Sequence, residues 1–453
     1  MRQRLALAAT LSALLAGCAL TPAIAPLNHP ARSAAPVQPG NDLAARAVVR
    51  GERLIMLSFS GGGMRAAAFA AGVLQGLQAM VQADGSPMID QVGFISSVSG
   101  GSLTAAWFRL HGEHGLPRIR DELLLRDGES DLRLSLLNPL NLMRLAGGGL
   151  NDRSTLYRWL DQDVFAGASF ADLMSRNGPV VWINATYLLK GTAFPFHERS
   201  FDAICSDLAS LPVAEAVAAS MAVPLVFAPV TLRTYPGHCG ATLPDWADTY
   251  DLAFGEGLLR RRLLAALQDF RRPGGPGILQ LVDGGVSDNI GLTALVQSRW
   301  LLGTPQAPFS ESDALRLHHL LFLVVDAGQG GGDTTMAVPI RATDIGLAAL
   351  NATIDANARL SFDTFRTFLE DWRASITRWR CAQTRHAAGC DRLQFELSRL
   401  DFDSLPAETG QALRRIPTSL RLSAEEVDAL LAAGRHAVQR NIPLQRWRQR
   451  PGP

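Results

Sequence analysis

The sequence predicts an α/β fold, and three observations carry that expectation. From residue 51 onward, short and nearly all-apolar runs alternate with helix-like stretches, the pattern of a sheet covered on both faces. Two of these runs end in glycine-rich turns, Ser60-Gly61-Gly62-Gly63-Met64-Arg65 and Ser97-Val98-Ser99-Gly100-Gly101, and each turn opens a helix-like run. A later apolar run ends in Val282-Asp283-Gly284-Gly285. Open α/β sheets collect their site residues at such carboxyl ends of strands.

The chain has 453 residues, 47% of them hydrophobic and 19% charged, with a formal net charge of +1. That is a globular balance with room for one large domain or two smaller ones, and it gives no sign of a nucleic-acid partner. Arginine supplies nearly all the basic residues, with Lys190 the only lysine.

The N-terminus comes first. Arg2 and Arg4 precede an apolar run over 5–16, too short for a stable span of about 20 residues. The run closes in Leu15-Ala16-Gly17-Cys18, which resembles the lipobox of bacterial lipoproteins. That resemblance implies removal of a signal peptide over 1–17 and acylation of Cys18. Two or three acyl chains would anchor the protein stably in a membrane. Ala19 is not the aspartate that retains lipoproteins in the inner membrane, so the expected place is the cell envelope, with the outer membrane favoured. A plain secretory signal fits the same residues. Residues 18–50 are rich in Pro and Ala without periodicity and read as a lipidated tether.

Strands are expected at 54–59, 92–96, 179–186, 278–282 and 319–326. Helices are expected at 66–80, 102–110, 154–164, 213–219 and 292–302. The stretch 132–149 is leucine-rich and ends in glycines, which suits either a core helix or a lid. One folded domain is expected over 51–345. A mostly helical extension of the same domain follows over 346–453, closing in an amphipathic helix from Ala424 to Val438 behind a Ser423 N-cap.

Cys205, Cys239, Cys381 and Cys390 are an even number in a chain expected to be exported, which suggests disulfides. Proximity favours Cys205 with Cys239 and Cys381 with Cys390, although four cysteines allow three pairings. No paired C-x-x-C spacing points to zinc, and no metal site is expected.

The chemistry reads as serine-based acyl transfer. The second turn differs at one position, Ser97, from the G-x-S-x-G elbow that exposes a nucleophilic serine on a strained strand-to-helix turn. Ser96, Ser97, Ser99 and Ser102 all lie close, and Ser99 alone has the x-Gly pair on its C-terminal side. The glycine triplet offers backbone N–H groups at a helix start, suited to a developing oxyanion. None of nine histidines sits in an obvious strand-end motif. Asp283 does, and a partly desolvated carboxylate can serve as base directly. A dinucleotide fingerprint would need an acidic residue at the end of the second strand, where serines and glycines stand instead. A Walker loop would need a lysine that the first turn lacks.

A Gly-Gly-Gly-x-Arg turn, a serine elbow and a later Asp-Gly-Gly, in this order, resemble the motif set of patatin-like phospholipases. Asn184-Ala185-Thr186 with Gly191, the run Ala219-Ser220 to Pro224 with Phe227 and Pro229, and Asp288-Asn289 extend the likeness over about 52–330. The resemblance implies a three-layer α/β/α sandwich with C-terminal helical additions. It implies a Ser-Asp dyad without catalytic histidine, hence Ser99 as nucleophile and Asp283 as base. Gly61, Gly62 and Gly63 would form the oxyanion hole, and Arg65 would support that loop or neutralise charge near it. No cofactor is implied. Membrane phospholipid or lysophospholipid esters are the implied substrates. A thioesterase, a general carboxylesterase and an inactive lipid-binding envelope protein are the alternatives.

Overall fold

The computed structural model describes residues 25–31, 51–130, 155–224, 226–239, 257–272, 274–275, 277–329, 342–383 and 389–449. Cys18, the run before it and the stretch 132–149 lie outside the described residues.

Ten strands are described: β1 His29–Pro30, β2 Arg53–Phe59, β3 Val92–Val98, β4 Val180–Tyr187, β5 Thr192–Phe196, β6 Ser206–Asp207, β7 Val230–Arg233, β8 Ile278–Asp283, β9 His319–Asp326 and β10 Gln394–Asp401. Eight of them form one sheet in the order β10-β9-β2-β3-β4-β8-β7, with β5 paired to β4. The five from β10 to β4 are parallel, whereas β5, β8 and β7 join antiparallel. The principal helices are α1 Gly63–Ala79, α2 Gly100–His111, α3 Val213–Ser220, α4 Leu258–Arg271, α5 Thr293–Leu302, α6 Ala342–Ala382 and α7 Ala424–Arg440.

Side chains alternate across the pleat. Ile55, Leu57 and Phe59 of β2 and Leu321, Leu323 and Val325 of β9 enter one core with α1, α2, α3 and α7. Leu54 and Met56, with Leu320, Phe322 and Val324, enter a second core that receives Phe365, Leu369, Trp372 and Ile376 from α6. Those four recur at helical spacing, so a single stripe of the long α6 packs on the second face, beside Leu295 and Val296 of α5. Two helical layers around a sheet give the α/β/α sandwich expected from the sequence.

The C-terminal residues are part of this body. β10 extends the parallel sheet beside β9 in unbroken register from Gln394 to Asp401. α7, capped by Ser423 and Glu426 in a reciprocal capping box, lies against α1. At their crossing, a Cβ on Gly72 would overlap the Leu431 carbonyl, and one on Gly434 would overlap the Phe69 carbonyl. No described helix is long and apolar enough to cross a membrane.

Two other features refine the sequence reading. Residues 25–31, within the expected tether, dock on the domain: β1 pairs with β6, and the Asn28 amide donates to Ser206 Oγ at 2.9 Å and to the Arg233 carbonyl at 2.8 Å. Cys205 is bridged to Cys239 and Cys381 to Cys390, with Cα separations of 4.6 and 5.0 Å.

Candidate active site

The site begins with a seam in the sheet. β3 runs beside β4 until Val98 faces Asn184. β8 arrives from the opposite direction, and its last residue, Asp283, faces Ala185. The other edge of β4 is taken by β5 over the same residues. β3 and β8 therefore meet end to end along one edge of β4. The residue after β3 is Ser99 and the last residue of β8 is Asp283. Both are buried, with 6% and 5% of their surface exposed.

Ser99 is held at φ 49° and ψ −121°, a conformation rarely adopted by a residue with a side chain. Such strain persists only where neighbours hold it, and it concentrates at functional positions. Its N–H donates to Ser220 Oγ at 2.7 Å, and its side chain is near enough to Asp283 to favour the carboxylate. Gly100 follows directly, and a Cβ there would overlap the Gly63 carbonyl, so only glycine lets the two turns touch. The neighbouring serines are engaged in the scaffold. Ser96 Oγ donates to the Gly291 carbonyl at 2.6 Å, Ser97 Oγ to the Trp182 carbonyl at 2.8 Å, and Ser102 Oγ to Ser97 Oγ at 3.2 Å.

Asp283 Oδ1 accepts the Gly285 N–H at 2.8 Å. Burial pushes the carboxyl up to about 6, against the pull of the Gly285 hydrogen bond and the Ser99 side chain, which favour the anion. Asp288, also buried, serves the following turn, accepting from the N–H groups of Ile290 at 3.1 Å and Leu292 at 2.7 Å. His197 is likewise placed elsewhere. Its Nδ1 accepts the Ser200 N–H at 3.1 Å, its Nε2 lies 3.0 Å from Ser298 Oγ, and burial drives it down to about 3, hence neutral.

The glycine turn stands over this pair. A Cβ on Gly61 would approach the Ser99 Cβ to 3.2 Å. The three glycines differ in what their N–H groups do. Gly61 donates to the Asn289 carbonyl at 2.9 Å, so its N–H is not free to meet an oxyanion. Gly62 and Gly63, at φ 135° and 59°, have N–H groups without an acceptor among the described residues, at the start of α1. Unpaired N–H groups at a helix start, with the helix dipole behind them, attract negative charge.

Arg65 is buried behind this loop. Its Nε donates to the Ala327 carbonyl at 2.9 Å and its Nη1 to the Ile416 carbonyl at 2.6 Å. It packs beneath Gly62, where a Cβ would lie 3.1 Å from Nη2. Burial lowers its pKa to about 10, with Asp326 and Asp355 opposing, and it stays cationic at neutral pH. Arg65 thus ties the loop to the end of β9 and to the C-terminal segment.

Asn289 and Ser220 complete the surroundings. The Asn289 side-chain oxygen sits against both Gly61 and Gly285. Spacing gives no signal for either contact, because both depend on where the chain after β8 and the end of α3 come to rest. A cavity of about 430 Å³ walled by Phe170, Leu173, Phe196 and His197 opens beside Arg109, near the other end of α2, and neither Ser99 nor Asp283 lines it.

Among solved structures, human GIVD cytosolic phospholipase A2 is similar over 87% of this chain, with 13% identity and a TM-score of 0.41. The similarity takes in 60% of that protein, so the chain spans less than two thirds of its length. VipD from Legionella pneumophila is similar over 85% of this chain and 67% of its own, with 12% identity and a TM-score of 0.28. No curated protein matches the chain. The family model for patatin-like phospholipases matches residues 57–296, more than half the chain and the span that holds all three motifs, and the chain belongs to that family.

Proposed function

We propose that the protein is a serine acyl hydrolase of phospholipid or lysophospholipid esters, working through a Ser99–Asp283 dyad. The observation that carries this reading is a strained, buried serine and a desolvated carboxylate brought side by side where β3 and β8 meet along β4. Ser99 Oγ attacks the ester carbonyl carbon while Asp283 takes its proton. The tetrahedral oxyanion lies against the Gly62 and Gly63 N–H groups. Its collapse breaks the C–O bond, and Asp283 returns the proton to the leaving alkoxide. Water then gives a proton to Asp283 and attacks the acyl-Ser99 ester. The second collapse releases the fatty acid and restores the Ser99 hydroxyl with that proton. Arg65 and the C-terminal segment keep the glycine loop in place.

Incubation with mixed bacterial lipids, followed by mass spectrometry of released fatty acids, tests the substrate class. Fatty acids and matching lysolipids are expected. Hydrolysis of acyl thioesters with intact glycerolipids would favour the thioesterase alternative, and lipid binding without turnover would favour the inactive one.

The dyad also sets a pH dependence. Asp283 acts as base only when ionised, and its carboxyl titrates at about 6. Log kcat/KM against pH is therefore expected to be flat above about 7 and to fall with unit slope below 6. An acid limb centred near 4 would mean that the working carboxylate is not the desolvated one.

The Leu15-Ala16-Gly17-Cys18 run supports export and lipid anchoring at Cys18, in the cell envelope and most naturally at the outer membrane. Cys18→Ser is expected to release the protein from membranes or to leave it unprocessed. A variant that matures near residue 18 and still fractionates with membranes would remove the lipoprotein reading.

A further inference from the structure

We infer that Ser220 is a positioning residue that ties the nucleophile turn to the aspartate turn, an inference that rests on the Ser99–Asp283 reading. Ser220 is the last residue of α3 and is fully buried. Its hydroxyl accepts the Ser99 N–H at 2.7 Å and donates to the Asn184 carbonyl at 2.6 Å. Ser102 Oγ lies 3.2 Å from the same oxygen. Its own carbonyl accepts the Gly284 N–H at 3.2 Å, and the Ala222 carbonyl, two residues on, accepts the Asp283 N–H at 2.8 Å. One three-residue stretch therefore holds the backbone on both sides of the seam, at the residue with the hydroxyl and at the residue with the carboxylate.

A hydroxyl suits this place because it accepts and donates at once. The Ser99 N–H belongs neither to the β3 ladder nor to α2, and buried without an acceptor it would destabilise the turn. Alanine at 220 offers no acceptor. The Ser99 turn would then relax from its strained conformation, and the hydroxyl would move away from Asp283. Asp283 would lose the influence of the Ser99 side chain, one of two that favour its anion, and its titration would move upward.

The test compares Ser220→Ala, Ser220→Thr and Ser220→Cys in the full chain. It measures p-nitrophenyl ester kinetics across pH, the rate of fluorophosphonate labelling at Ser99, and thermal melting. Ser220→Ala is expected to lower kcat and the labelling rate about 10- to 100-fold, the range of one lost buried hydrogen bond, with KM nearly unchanged. Its acid limb is expected to shift to higher pH. Ser220→Thr keeps the hydroxyl and is expected to recover most of the rate. Ser220→Cys, close in shape but a weak acceptor, is expected to fall between. The inference is overturned by Ser220→Ala with the parental kcat and acid limb. It is equally overturned by the same loss in all three variants with an unmoved limb, which would mark packing alone. Loss of activity in Ser99→Ala beside a normal Ser220→Ala sinks the tie and spares the dyad, whereas full activity in Ser99→Ala sinks the dyad and the tie with it.

Discussion

Ser99→Ala and Asp283→Asn are each expected to lower ester hydrolysis by at least about a thousandfold, roughly 4 kcal/mol of transition-state stabilisation. The double variant is expected to lose little more than either single one, because attack needs both the hydroxyl and the group that takes its proton. A serine-directed organophosphonate is expected to label Ser99 and no other serine, since Ser96, Ser97 and Ser102 are bonded into the scaffold. A histidine substitution that abolishes activity while keeping the fold would point instead to a Ser-His-Asp triad. The same Asp283→Asn variant carries a stability signature of opposite sign. The folded carboxyl titrates at about 6, above its ordinary 3.8, so burial favours the neutral form. Its contribution to stability is complete below pH 3.8 and is lost as pH rises through 6. An asparagine is neutral throughout. Asp283→Asn is expected to melt above the parent at pH 8 and to lose that advantage near pH 3.5. A melt below the parent at pH 8 would exclude burial as the dominant influence on this carboxyl.

Gly434→Leu is expected to destabilise the protein by about 3 kcal/mol, as overpacking of a rigid contact does. A Cβ at 434 would overlap the Phe69 carbonyl and come within 2.6 Å of the Val73 N, and backbone atoms cannot swing aside. α7 would have to lift away from α1. Activity is expected to fall with it, because α1 starts at the glycine loop and that loop is bonded from the C-terminal side: Met64 N–H to the Ser419 carbonyl at 2.8 Å and Arg65 to the Ile416 carbonyl. Urea unfolding followed by circular dichroism measures the loss, with Gly237→Ala as the control, since a Cβ there meets nothing within 4 Å. Equal midpoints for Gly434→Leu and the parent would show that α7 does not bear on the core.

The strands that could be read from sequence are those built on mostly apolar runs. β2, β3, β4, β8 and β9 are short apolar runs bounded by glycine, aspartate or serine, and their ends fall within two residues of expectation. β10 was hidden because Gln394-Phe395-Glu396-Leu397-Ser398-Arg399 alternates polar with apolar at the rim of the sheet, where charge is tolerated. β5 was hidden by Pro195, which an edge strand accepts and a central strand does not. α1 starts at Gly63, inside the triplet, three residues before its first alanine, because glycine takes the φ of 59° that begins it. Ser99 and Asp283 were legible as strand-end residues, and the likeness to a known motif set suggested them as a pair. The separate fates of the Gly61, Gly62 and Gly63 N–H groups were not legible. They depend on the Asn289 carbonyl, more than two hundred residues along the chain.

The end-to-end meeting of β3 and β8 makes the reactive pair a gauge of long-range order. Ser99 and Asp283 are about 180 residues apart, and no local turn or hairpin brings them together. They come into register only once β4 has accepted β3 along one part of its edge and β8 along the rest. Contacts so distant in sequence close late, after helices and near-neighbour strands have formed. During refolding from urea, ester hydrolysis is therefore set to return after the far-ultraviolet signal has recovered. A chain that has regained its helices but not this junction would be compact and chemically inert.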